Sequence, residues 1–270
     1  MFRSVRKQRN LTADDYLRLA ISTGSPAEAA VLAERGLRHH GDAAGDQAID
    51  PETRLLLLRE IYRAHLHARR LRSAHAVARK MTRLGVAQEI AHVDLARACA
   101  ALGWWSRAAQ AYRISARTAP AARRAMHWAS VAVALHHAEQ YDDAMSALER
   151  AVRWSLSTRP LHRAYMALVQ LDAGRRAEEI DNLAEVVDEL ECARCGEGFG
   201  RYVLGLLYAA SRDDLRARAH LRTFIKRNAG DPMRASTLAA EIRSAREALR
   251  AIRKRSPTQP PVAPTPASGA

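Results

Sequence analysis

Cysteine, lysine, asparagine and aromatic side chains are all scarce in this 270-residue chain, and no apolar run is long. Three cysteines, Cys99, Cys192 and Cys195, do not make a disulfide framework, and they point to a reducing, cytoplasmic compartment. The longest apolar stretches, such as 203–210, fall far short of the ~20 residues needed to cross a bilayer. The basic start MFRSVRKQRN runs into the polar TADDY instead of a signal-peptide core. A soluble protein without membrane insertion is therefore expected. With aromatics at 5%, alanine, leucine and valine must fill the interior, and these residues favour helix. Also missing are GxSxG, a glycine–lysine phosphate loop, HExxH and a Rossmann glycine fingerprint. No catalytic constellation remains, so the expectation is a non-enzymatic protein without a cofactor.

What is abundant is arginine. The net charge is +14 and the pI near 10.6, yet only Lys7, Lys80, Lys226 and Lys254 are lysines among 43 basic residues. Two causes stay open: GC-rich coding, which supplies arginine and alanine without regard to a ligand, or a partner that is acidic overall.

Helix punctuation is readable along the chain. Thr12 with Asp15 resembles a capping box, and Ser25-Pro26-Ala27-Glu28 restarts a helix after Gly24. Residues 39–50, HHGDAAGDQAID, lack apolar periodicity and read as a loop before the Asp50-Pro51 cap. Asp231-Pro232 opens a last helix to about Arg255, with Met233, Leu238, Ile242, Ala245, Leu249 and Ile252 as a one-sided stripe. Its other side carries Arg234, Arg243, Arg246, Arg250, Arg253 and Lys254. Residues 1–9 read as a basic arm, and 256–270 as a disordered Pro-rich tail.

The stretch 89–122 is the most informative. Leu95, Ala96, Gly103, Trp105, Ala108, Tyr112 and Pro120 stand where a tetratricopeptide repeat places its large–small pair, turn glycine, bulky residue, small packing residue, aromatic and terminal proline. The chain thus resembles that family, whose unit is a helix–turn–helix of about 34 residues. Taken as a ruler, this stretch places repeats at about 10–43, 55–88, 89–122, 125–158, 160–193 and 198–231, with 232–255 as capping helix. In the fifth, the second helix is expected over about 177–190. The resemblance implies an all-α fold, a right-handed α-solenoid of about six helix-turn-helix repeats with a C-terminal capping helix. It also implies a concave groove lined by the first helix of each repeat.

In that register the groove's N-terminal wall would show Asp14, Arg18, Arg59, Arg63, Asp94 and Arg97, and its C-terminal wall Ser130, Val133, Tyr165, Tyr202 and Val203. Arginine forks carboxylates and tyrosine gives rigid contact area, so a peptide with an acidic and a hydrophobic end fits. The inner-wall asparagines and lysines with which some members clamp chaperone tails are missing. Trp105, Ala108 and Tyr112 read as packing residues, and Trp104 beside them as either a contact anchor or packing. Cys192-Ala-Arg-Cys195 has the spacing of a half-site for metal, but no second pair completes it. The histidine pairs 39–40, 65–67 and 136–137 do not share a helical face.

Two functions follow as expectations. The first is an interaction scaffold or adaptor that binds a peptide segment of another protein in the groove. The alternative is a basic adaptor that meets nucleic acid through the Arg-rich last helix and the N-terminal arm.

Overall fold

A computed structural model describes residues 11–40, 49–155 and 157–255. The basic arm at 1–9, most of the 39–50 loop and the tail at 256–270 lie outside the described residues. Helix starts follow from short polar side chains that satisfy the first orphan amides. Thr12 Oγ1 accepts from the Asp15 amide at 3.2 Å, and Asp15 returns a bond to the Thr12 amide at 3.1 Å. Asp50 accepts from the Glu52 and Thr53 amides, and Asp231 from that of Arg234.

Among the described residues the chain is all-helical, with fourteen α-helices and no strand. They are α1 (Ala13–Ser22), α2 (Pro26–His40), α3 (Pro51–His67), α4 (Leu71–Thr82), α5 (Gln88–Ala101), α6 (Trp105–Thr118) and α7 (Ala121–His137). After these come α8 (Tyr141–Trp154), α9 (Arg159–Asp172), α10 (Leu183–Cys192), α11 (Phe199–Ala210), α12 (Asp214–Ala229), α13 (Pro232–Thr237) and α14 (Ala239–Arg255). None is long and apolar enough to cross a membrane.

One turn recurs. The chain enters the left-handed region at residues 69, 103, 139, 174 and 212, which lie 34, 36, 35 and 38 apart. At each, the next residue's amide bonds back to a carbonyl five positions earlier, as in Trp104 to Cys99 and Gln140 to Leu135. This is the Schellman closure that ends a helix and reverses the chain. Only Gly103 and Gly174 adopt it without a Cβ penalty; Arg69, Glu139 and Arg212 bear that cost.

From α1 to α9 each helix packs on the next, and α9, α10, α11 and α12 continue the stack. Alanine lets the backbones approach: Ala74, Ala78, Ala108, Ala144, Ala151, Ala164 and Ala217 are fully buried. Gly205 is the limiting case, since a Cβ there would lie 2.6 Å from Leu221 Cγ. One continuous core runs from Cys99 to Ile252, while Leu55, Tyr62, Leu66 and Met81 form a second cluster and Leu17, Ala33, Leu57 and Ile61 a third.

Two segments differ from the sequence expectation. The helix read over 177–190 is a 3-10 turn at Ala177–Glu179 followed by α10. Glu179 is drawn back onto the Arg176 amide and guanidinium, and Asn182, which tolerates the left-handed region, resets the chain at φ 56°. The last helix is also two. Ser236 and Thr237 bond back to the carbonyls of Pro232 and Met233, competing with the backbone ladder, and the chain breaks at Leu238. The stripe therefore splits. α14 lies along α11 and α12 and buries Ile242, Ala245 and Ile252, whereas α13 crosses to α3 and α5. There Met233 joins the Leu55–Tyr62 cluster and Ser236 Oγ reaches the Leu66 carbonyl at 3.4 Å.

Candidate binding cavity

The corner between α13 and α14 roofs a cavity of ≈ 350 Å³ whose other walls come from α6, α7 and α9. On α7, Met126, Ala129, Ser130 and Val133 fall three or four apart and share the face turned to it. Trp105 and Tyr112 enter from α6, Leu161, His162 and Tyr165 from α9, and Phe199 from the start of α11. Thr237, Leu238 and Glu241 complete the roof.

The aromatic walls are held from behind. The Trp105 ring stacks on His137 with centroids 4.4 Å apart. His136 sits 2.8 Å from the Tyr165 hydroxyl through Nδ1 and 2.9 Å from Asp172 through Nε2, which fixes Tyr165 in place. Tyr165, Phe199, Tyr202 and Phe224 continue as a chain of ring contacts into the core.

The polar groups are few. Glu241 is only 4% exposed; its Oε1 lies 3.4 Å from His137 Nε2, and its Oε2 has no hydrogen-bond partner among the described residues. Burial lowers the His162 imidazole to about 4, so it is neutral at physiological pH, with Nε2 3.1 Å from Thr158 Oγ1. Burial likewise pushes Tyr112 up to about 12 and Tyr165 well above its ordinary value, and the Glu241 charge adds to both shifts. Among the described residues no arginine or lysine lines the cavity.

Of the residues expected in a groove, Ser130 and Val133 line the cavity and Val203 is fully buried, while six others fall into two sets. Asp94, 1% exposed, accepts from Arg59 Nε at 2.8 Å and pairs with Arg97 at 3.6 Å. Burial drives its carboxyl above the ordinary value, against the pull of Arg59 and Arg97. Arg63 is exposed and pairs with Glu60 on its own helix at 3.1 Å. Tyr165 is in the cavity wall, while Tyr202 lies behind it and donates to Ser244 of α14 at 3.2 Å. Tyr112 is the link between the sets, because the Arg97 guanidinium lies close enough to its hydroxyl to pull against the upward shift that burial causes.

Trp105 and Tyr112, which the sequence assigns to packing, also line the cavity. Phe199 and Glu241 belong to no motif that marks them as cavity residues. A signal existed for Glu241: it stands at apolar-stripe spacing from Leu238 and Ala245, where an acidic residue is out of place. Trp104 is partly exposed, edge-on to His75 and beneath the Arg107 guanidinium. Cys192 is exposed, Cys195 is half-buried, and both thiols are free. Among the described residues no three His, Cys, Asp or Glu side chains gather in a way that could hold a metal ion.

No protein-family model matches the chain, and no curated protein matches it significantly.

Proposed function

We propose that this chain is a non-enzymatic scaffold: a right-handed α-solenoid of six tetratricopeptide-like repeats that holds a peptide segment of another protein along its concave face. The recurring left-handed turn at 34, 36, 35 and 38 residues supports the repeat reading. The observation that carries the binding reading is α13, six residues long, which lies across α3 and α5 with Met233 as an apolar anchor. The α3–α5 face thus already accepts a short helix from the chain itself, in the helix-in-groove manner. A partner helix with one large apolar anchor matches the same surface. Arg59 and Arg97 share Asp94, so Arg63, held only by its neighbour Glu60, is the cation best placed to meet an acidic residue of that partner.

The test is affinity purification from the native host with the wild-type chain and with Arg63→Glu. The expected result is selective loss of a partner that cross-links to α3 or α5. Recovery of the same partners in the same amounts would overturn the groove assignment.

One observation favours the second reading. Arg243, Arg246, Arg250 and Arg253 form an exposed ridge on α14, and no ion pair engages them among the described residues. Nucleic acid held there would bind without sequence preference, with log affinity falling linearly against log salt. No gel shift of duplex or single strand at low salt removes this reading.

A further inference from the structure

The cavity has a chemistry of its own, independent of the scaffold reading. Its walls include the rings of Trp105, Tyr112, Tyr165 and Phe199 over an alanine–valine floor, and among the described residues its one carboxylic acid is Glu241. We propose that it is a binding site for a small organic cation: an ammonium group on an apolar body about the size of a phenylbutyl chain.

Size and shape come first. A volume of ≈ 350 Å³ lies at the small end of ligand sites, which combine apolar walls with a few placed polar groups. Charge selects the class of ligand. Glu241 Oε2 is buried without a partner, a costly state for a carboxylate. The nearest basic group, His137, reaches only Oε1, at a distance longer than most hydrogen bonds. His162 is held neutral by burial, and Arg97 is engaged by Asp94. Oε2 itself is closed off, so an ammonium in the cavity would answer the Glu241 charge at short range rather than bond to that atom, and the electron-rich rings would attract the same charge.

Anions find little to hold them. Ser130 Oγ donates to the Met126 carbonyl and Thr237 Oγ1 to that of Met233, while Thr158 Oγ1 is shared between Ser155 and His162. The serine and threonine hydroxyls that line the cavity are therefore already committed. An anionic ligand would face Glu241 with only neutral donors, such as the Trp105 indole N–H, to hold it.

Three probes of one shape test this on the full chain: 4-phenylbutylamine, 4-phenylbutan-1-ol and 4-phenylbutyrate, each titrated calorimetrically with Trp fluorescence read in parallel. The amine is expected to bind about tenfold or more tighter than the alcohol, with the butyrate weakest. The chain's net charge of +14 would favour the butyrate at random surface sites, so a preference for the amine is not a surface effect. Glu241→Gln is expected to bring the amine down to the alcohol's affinity and leave the alcohol unchanged. Ala129→Phe, which fills the floor, is expected to remove both. Equal binding of amine and alcohol, stronger binding of the butyrate, no binding of any probe, or an amine preference that survives Glu241→Gln would each overturn the proposal. The three-probe comparison on the wild type decides the question even if a variant fails to fold.

Discussion

The face on which α13 and α14 lie is built on opposite principles in the two halves. On α3 and α5 it is charged, and the charges answer one another: Arg59 and Arg97 converge on a buried Asp94, and α13 covers the apolar cluster beside them. On α7, α9 and α11 it is alanine and aromatic rings, with a cavity left between the rings and the α13–α14 corner. The cores differ in the same sense. The C-terminal half shares one continuous core that includes α14, whereas α1, α2 and the near side of α3 meet in the small Leu17–Ala33–Leu57–Ile61 cluster. Stability is set by how many buried groups must open together. The first helix pair is thus the low-stability end, and the C-terminal half with α14 is the cooperative unit.

The sharpest way to break this contrast is a pair of truncations. Phe224 is fully buried among Phe199 and Tyr202, and Phe224→Ala is expected to cost about 3–5 kcal/mol and to lower the main thermal transition. Leu57 is as deeply buried, but Leu57→Ala is expected to act locally. Amide exchange in α1 and α2 should rise while the main transition stays in place. If both variants shift the main transition equally, the molecule is one cooperative unit.

Next in size is the pH response of the cavity wall. Burial depresses the His162 pKa from 6.5 to about 4, so between those values the unfolded chain binds a proton that the folded chain does not. Stability from this group is complete above pH 6.5, falls as the pH drops, and is lost below about pH 4. The full difference is on the order of 3 kcal/mol. Urea unfolding between pH 4 and 7.5 checks it: His162→Gln should flatten that part of the profile, and exchange in α1 and α2 should not follow it.

The smallest effect concerns the recurring turn. Glu139→Gly and Arg69→Gly each remove a Cβ from a left-handed residue, and each is expected to stabilise its turn by about 0.5–1 kcal/mol. The gain at 139 should appear in the main transition, and that at 69 mainly in exchange rates of the adjoining helices. Equal gains in the main transition would again argue for a single unit.

Much of the helical framework was legible in the residues. Thr12, Asp50 and Asp231 announce their helices because a short acceptor beside a helix start has few other uses, and Gly103 marks its turn because glycine reaches the left-handed region at little cost. Glu139 and Arg212 make the same turn without glycine, so a rule tied to residue type passes over them. The break at Leu238 was hidden by a stripe that continues across it; Ser236 and Thr237 shift the axis through bonds that leave the apolar spacing intact. The cavity was less legible still. Its wall combines Trp105 with Glu241, 136 positions later in the chain, and no local pattern encodes that meeting. Asp94 and Arg97 could be placed on one helix, but their mutual neutralisation depends on Arg59 arriving from another.

The bond between Ser236 and the Leu66 carbonyl spans 170 positions, and this bears on how the molecule comes into being. Contacts between successive helices can form as soon as the second helix leaves the ribosome, since neighbours in sequence find each other quickly. The seat for Met233 beside Leu55 and Tyr62 has no such early occupant. At synthesis rates of about 5–20 residues per second it stands uncovered for roughly ten to thirty seconds. For that interval the nascent chain offers an apolar surface to whatever is nearby, and only its last helices withdraw it.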